Sequence, residues 1–198
     1  MFNFQVIKPD DFIVHGWSGG VTSEIFLYPE GSDYKKKNFQ VRISSAQIKE
    51  EGTPYTDFSG FTRFISPIQG QMRIFHTDHH NADLDTYEID QFDGGWKTRS
   101  YGLCTDFNLL LSKQWNGKME CITTPSALSL KKDCYHGFFV CDDSKASVSL
   151  NDEENTLMKD NYLFYKNYFY LLSSKIVIYD LNKSNPEKTK KVKEGFFT

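Results

Sequence analysis

The sequence predicts an all-β fold, a sandwich or a barrel, from three observations. Short runs rich in β-branched and aromatic residues recur along the chain, glycine, proline and small polar residues punctuate them, and the pattern runs through both halves. With 198 residues, 39% of them hydrophobic and 16% aromatic, the chain can bury one sizeable core but is short for two independent enzyme domains, so residues 1–198 are read as one compact unit.

The elements follow in order. After Gly19-Gly20, residues 21–28 are β-branched or aromatic with partial alternation, and Pro29-Glu30-Gly31-Ser32 closes the run, which makes this a strand. A phosphate-binding loop would need a helix after its glycines and a Gly-Lys-Ser/Thr step, and neither is present. Residues 38–44 alternate, 51–54 turn, 63–68 extend, 69–71 turn and 72–75 extend again. Further strands are expected at 86–89, 119–123, 137–141, 146–150, 162–165, 168–172 and 175–179. Two segments dissent: residues 45–51 have room for one helical turn, and 106–115 place Phe107, Leu110, Leu111 and Trp115 at helical spacing, so periodicity leaves helix and strand both open there. Residues 78–85 and 151–155 are polar enough for hairpin tips or linkers.

Bulk properties exclude several function classes. A net charge of -3 and a pI near 6.0 give no electrostatic drive toward nucleic acid or anionic lipid, and the basic run from Lys183 to Lys193 reads as a solvated end. Mean hydropathy is -0.52 and no apolar run approaches the length of a membrane span. The opening residues show no basic leader followed by an apolar segment, which predicts a cytoplasmic protein. Cys104, Cys121, Cys134 and Cys141 form no Cys-x-x-Cys pair and read as reduced thiols.

The order of short motifs resembles the HutD/Ves family of cupin-like bacterial proteins, which are associated with histidine utilisation and environmental stress. The likeness starts at Trp17 and Gly19-Gly20-Val21-Thr22-Ser23-Glu24. It continues through Arg42-Ile43-Ser44-Ser45-Ala46, the stretch from Gly52 to Arg63, Gly70, the Phe92-Asp93-Gly94 turn and Asp106-Phe107-Asn108-Leu109-Leu110. Ser23, Val41, Ser59 and Gly95 depart from the family pattern, and Thr53 separates Gly52 from Pro54. The resemblance implies a cupin-like (RmlC-like) jelly roll, doubled into a bicupin, with a motif-bearing half at 1–113 and a divergent second half at 114–198. It also implies a pocket for a small carboxylate of histidine breakdown, such as formylglutamate or urocanate, and no established catalysis.

Chemistry is then weighed residue by residue. Only four arginines stand against nineteen lysines, and Arg42 and Arg63 both fall inside the family-like motifs. A guanidinium grips a carboxylate through a planar donor fork that a lysine cannot reproduce. If residues 105–110 form a strand, Asp106 and Asn108 share a face, as do Thr22 with Glu24 and Arg42 with Ser44. The expected ligand-binding residues are therefore Arg42, Ser44, Arg63, Asp106, Asn108, Thr22 and Trp17. Phe58 and Phe61 are candidates for a pocket wall or the core.

No catalytic residue, metal or cofactor is assigned. His76, His79 and His80 with downstream Glu88 invite a metal reading, but they fall at a predicted hairpin tip where alternation would send His79 and His80 to opposite faces. Cys134, His136 and Cys141 lack a fourth ligand, and no Gly-x-Ser-x-Gly elbow is present. The favoured reading is a non-catalytic, regulatory protein that binds a small anionic metabolite. The alternatives are a cupin enzyme, metal-dependent or a metal-free isomerase or hydrolase, and a structural or stress-associated interaction protein whose aromatic second half forms a homodimer surface.

Overall fold

The computed structural model describes residues 4–122, 134–141, 146–150, 153–157, 162–166, 172–173 and 176–183, with side chains described at 6–122 and 134–141. Apart from one 3-10 turn at Pro9–Asp11, the described elements are all strands. The first part of the chain contributes β1 (Phe4–Ile7), β2 (Ile13–Trp17), β3 (Gly20–Tyr28), β4 (Val41–Ile48), β5 (Phe61–Gln69) and β6 (Met72–His76). It continues with β7 (Asn81–Leu84), β8 (Asp90–Asp93), β9 (Thr98–Tyr101), β10 (Thr105–Ser112) and β11 (Trp115–Ile122). The remaining strands are β12 (Tyr135–Val140), β13 (Ala146–Leu150), β14 (Glu153–Leu157), β15 (Tyr162–Lys166), β16 (Leu172–Ser173) and β17 (Ile176–Lys183).

These strands form four sheets. A six-stranded sheet runs β2-β3-β4-β10-β5-β8, and a three-stranded sheet runs β7-β6-β9. A five-stranded sheet runs β1-β15-β12-β17-β11, with a second three-stranded sheet, β14-β13-β16. The connection order is that of a cupin jelly roll, in which non-sequential neighbours such as β10 between β4 and β5 come from long crossovers. The N-terminal strand pairs with β15 rather than with the strands that follow it in sequence.

The period-two alternation of β4 and β10 gives the six-stranded sheet two different faces. On one face Ile43, Phe64, Phe107, Leu109 and Leu111 join Trp115, Met119 and Phe139 in the main core, and the Phe107 and Phe139 ring centroids lie 4.7 Å apart. On the other face, register aligns three polar rows across the strands. Thr22 lies opposite Ala46, which faces Asp106; Glu24 lies opposite Ser44, which faces Asn108; and Leu110 lies between Arg42 and Arg63. A second cluster, Ile48, Ile65, Met72, Ile74, Leu84, Phe92 and Cys104, fills the space between this face and the β7-β6-β9 sheet. Burying side chains of this size from both sheets is the dominant favourable term that holds the layers together.

The structure corrects several element boundaries. Residues 45–48 continue β4 instead of turning as a helix, because Ile48 is needed in the second cluster and Ala46 faces Asp106 on the neighbouring strand. The ambiguous segment at 106–115 is strand β10, a tight turn and the start of β11; its long apolar run reflects a central strand between β4 and β5. Residues 86–89 are not a strand: Tyr87 has φ +75° and the chain turns there before β8. Residues 81–84 and 153–155, read as loop, belong to strands β7 and β14. Strands β1, β2, β8 and β9 were not expected. Most of the strand expected at 168–172, and the basic run beyond Lys183, lie outside the described residues.

Candidate functional site

The polar face of the six-stranded sheet opens into a cavity of about 410 Å³. All seven residues expected from sequence, Trp17, Thr22, Arg42, Ser44, Arg63, Asp106 and Asn108, lie in its wall, joined by His15, Tyr34, Tyr55 and Phe58. The strand period brings them together, since alternate residues of β3, β4, β5 and β10 point the same way.

Two guanidinium groups dominate the wall, and they are held differently. Arg42 is buried and paired: its Nε donates to Glu24 Oε2 at 3.0 Å and its Nη1 to Ser44 Oγ at 3.0 Å. Its guanidinium also lies over the Tyr34 ring, 4.4 Å from the centroid. Arg63 instead donates from Nε and Nη2 to Asn108 Oδ1, at 2.8 and 2.6 Å, and lies 4.3 Å from the Tyr55 centroid. Among the described residues, no carboxylate lies within ion-pairing distance of Arg63. Its remaining nitrogen, Nη1, makes no hydrogen bond and keeps access to the cavity.

Asn108 passes this arrangement inward. Its Nδ2 donates to Asp106 Oδ1, so Asp106 fixes the amide that orients Arg63. The Asn108 amide is engaged at both ends, by Arg63 and by Asp106. Burial pushes the Asp106 carboxyl up to about 7, against the opposing pull of Arg63 and Arg42. Burial likewise lowers Arg63 from the ordinary arginine value, with Tyr55 and Asp106 opposing the shift. Arginine as a side chain keeps its charge through the neutral range.

The remaining wall is aromatic and adaptable. The Tyr55 hydroxyl is buried without a well-formed hydrogen bond, with Ser100 beside it in poor geometry, and burial raises its pKa. Phe58 belongs both to the wall and to a small cluster with Phe39 and Leu110, against which Phe61 packs. Trp17 stands at the rim, 38% exposed, next to exposed Val14 on the same strand. Gly19 and Gly20 place it there. A Cβ on Gly19 would lie 2.1 Å from the Trp17 ring, and one on Gly20 would lie 2.0 Å from the Gln47 carbonyl oxygen of β4.

Tyr34 and Tyr55 escaped the sequence reading. Tyr55 sits inside the Gly52-to-Arg63 motif, so an aromatic residue near a motif arginine was the available signal. Tyr34 reaches the cavity from the loop between β3 and β4, and only the fold brings it under Arg42.

What the cavity can do follows from its donors. Arginines, hydroxyls, an amide and aromatic faces suit an anion of small, planar form. They do not suit a cation, and among the described residues the group of metal-competent side chains that the fold assembles lies elsewhere, at His76, His80 and Asp90. Glu88 is not part of it: its carboxylate accepts the Asp85 backbone N–H at 2.8 Å. Cys134, His136 and Cys141 form no such group among the described residues, and none of the four cysteines is in a disulfide. No described helix is long and apolar enough to cross a membrane.

Comparison with known proteins agrees with this architecture. The chain is similar to the conserved protein of unknown function PA5104 from Pseudomonas aeruginosa PAO1. The two share 20% identity and superpose with a TM-score of 0.79 over 91% of this chain and 100% of the other. It is also similar to HutD from Pseudomonas fluorescens SBW25, solved in a formate condition, at 20% identity and a TM-score of 0.75 over 92% of this chain and all of the other. The nickel(II)-bound bacterial pirin YhhW from Escherichia coli shares the fold at 9% identity, with a TM-score of 0.65 over 92% of this chain and 100% of that one. No curated protein sequence matches the chain. The HutD family profile matches residues 10–175, and the chain belongs to the HutD family.

Proposed function

We propose that this protein is a non-catalytic binding protein whose cavity holds a small carboxylate metabolite and whose occupancy serves regulation. The observation that carries this reading is Arg63. Its guanidinium lies in the wall of a half-open cavity, oriented by Asn108 and backed by Tyr55, with one nitrogen making no hydrogen bond and no protein carboxylate in ion-pairing range among the described residues. A charge so placed is costly unless a counter-ion arrives, and a ligand carboxylate supplies it. Arg42, already neutralised by Glu24, contributes shape and a second donor surface. The aromatic walls accept a flat or extended carbon skeleton, and 410 Å³ suits a molecule of metabolite size. Intermediates of histidine breakdown, formylglutamate or urocanate, fit this description, and family membership favours them.

We also take the chain to be a bicupin in the cytoplasm. A larger and a smaller sheet occur twice, six plus three strands and then five plus three, which supports a doubled jelly roll.

The test is a thermal-shift titration of the wild type and Arg63→Gln with histidine, urocanate, formiminoglutamate, formylglutamate and glutamate. A ligand at about 100 times its Kd adds roughly 2.7 kcal/mol of stability. A shift with one carboxylate, lost in Arg63→Gln, is the expected result. No shift with any of the five would reject the histidine-pathway ligand, and a shift that survives in Arg63→Gln would reject Arg63 as the anchor.

A further inference from the structure

Outside the cavity, three side chains converge at the tip of the β6-β7 hairpin. His76 ends β6 and is fully buried, His80 closes the turn at residues 77–80 with its side chain 45% exposed, and Asp90 opens β8 with its side chain 8% exposed. His76 Nε2 lies 2.9 Å from Asp90 Oδ2, and His80 Nε2 lies 2.8 Å from Asp90 Oδ1. The three donor atoms all fall within 4.8 Å of one another.

Simple alternation had separated His79 from His80. Asp78 breaks that alternation, because its φ of +63° turns the chain back, and the His79 N–H bonds the His76 carbonyl. His79 is then left to lie flat on Trp96, with ring centroids 3.8 Å apart, and walls off one side of the group. His80 swings inward to Asp90.

Among the described residues, the Asp90 carboxylate has two imidazole nitrogens as its hydrogen-bond partners, one on each oxygen. On the far side of His76, Nδ1 lies 2.7 Å from Thr98 Oγ1, which in turn is 3.2 Å from the Trp96 carbonyl oxygen. A hydroxyl has one proton. When Thr98 gives it to Trp96, His76 Nδ1–H donates to Thr98, and the Nε2 lone pair of a neutral ring faces the carboxylate. In that tautomer the Nε2 lone pair is available to a cation, whereas with Thr98 donating to Nδ1 the Nε2–H donates to Asp90 and the group closes without one; a histidine whose other nitrogen donates to a fixed oxygen is the usual form of an oriented metal ligand.

We infer that His76, His80 and Asp90 form a binding site for a divalent cation of the zinc class, separate from the carboxylate cavity. Two imidazoles and one carboxylate are the donor set zinc accepts with water in the fourth position, whereas magnesium and calcium take oxygen ligands. Bonds of about 2.0–2.1 Å to a tetrahedral ion require donor separations of roughly 3.4 Å. His76 and Asp90 are held by packing, and half-exposed His80 on the turn is the ligand that closes the distance. The ion ties the hairpin tip to the start of β8 in the neighbouring sheet. No residue of the cavity wall takes part.

The experiment strips the full-length protein with chelator, dialyses it against micromolar Zn²⁺ and measures bound metal per chain for the wild type, His80→Ala, Asp90→Asn and His79→Ala. Circular dichroism of each variant establishes that it is folded. Loading with Co²⁺ in parallel reports the ligands: a tetrahedral visible spectrum without a thiolate charge-transfer band excludes the cysteines. The inference expects one equivalent in the wild type and in His79→Ala, with affinity lowered more than about 100-fold in His80→Ala and Asp90→Asn, beyond the 10–100-fold that outer-shell changes cost. Thr98→Val should fall within that outer-shell range. Absence of stoichiometric zinc in the wild type, a thiolate band, or undiminished binding in folded His80→Ala or Asp90→Asn would each overturn it.

Discussion

At the scale of single residues, Asp106 ties stability and binding to pH. Its carboxyl is pushed up to about 7 in the folded state, from an ordinary value of 3.8, mainly by burial. The folded protein therefore holds this proton at pH values where the unfolded chain has released it. The contribution of Asp106 to stability is greatest below about pH 4, declines as pH rises from 4 to 7, and is level above that. Asp106→Asn removes the titration and keeps an acceptor for Asn108. Its melting temperature relative to wild type should rise between pH 5 and pH 8, and thermal melts at the two pH values check this. The same group competes with a ligand carboxylate for Arg63 once ionised. Affinity for the anion should fall as pH passes through 7 in the wild type and stay flat in Asp106→Asn, as read by calorimetric titration. Glu24 is a buried acid in a formed ion pair, and Glu24→Ala leaves Arg42 buried and uncompensated. A loss of about 3–5 kcal/mol in urea unfolding is expected.

At the scale of elements, the edge of β3 shows how backbone fit places a side chain at the cavity. Gly20 lies against the Gln47 carbonyl so closely that any Cβ would force β3 away from β4. Gly20→Ala should lose more than about 2 kcal/mol in denaturant titration and shift the Trp17 emission at the rim. The bulge between Glu24 and Phe26 has a second effect: it restores the cavity-facing register, so that Glu24 faces Ser44 while Leu27 pairs with Arg42. The β6-β7 turn departs from the strand rule in a similar way. Asp78 in the left-handed region returns His80 to the side of His76, a pairing that counting residues along a strand cannot show.

At the scale of the molecule, the six-stranded sheet divides two tasks between its faces. One face packs against β12 and β11 through Phe107, Phe139 and Trp115, and the other lines the cavity. Because Phe107 sits between Asp106 and Asn108 on β10, the residue that anchors the core is flanked by the two that orient Arg63. Phe139→Ala, which empties space against Phe107, should cost about 3–5 kcal/mol in urea unfolding through transfer and cavity terms together.

The sequence by itself determined the all-β class, most strand positions and the seven wall residues, because strand alternation is local and the family-like motifs sit on strands whose polar positions share a face. Arg42 with Ser44 and Asp106 with Asn108 were legible for that reason. Tertiary structure alone decided which arginine has a carboxylate partner and which has an amide, since Glu24 reaches Arg42 across strands 18 residues apart in sequence and Asn108 reaches Arg63. It also resolved the helix-spaced run at 106–115 into the central strand β10, a turn and the start of β11, because spacing records only that both sides are apolar and not what covers them. Asp90 rather than Glu88 meets the histidines because the turn after β7 carries Glu88 back onto Asp85, leaving the first residue of β8 beside the hairpin tip.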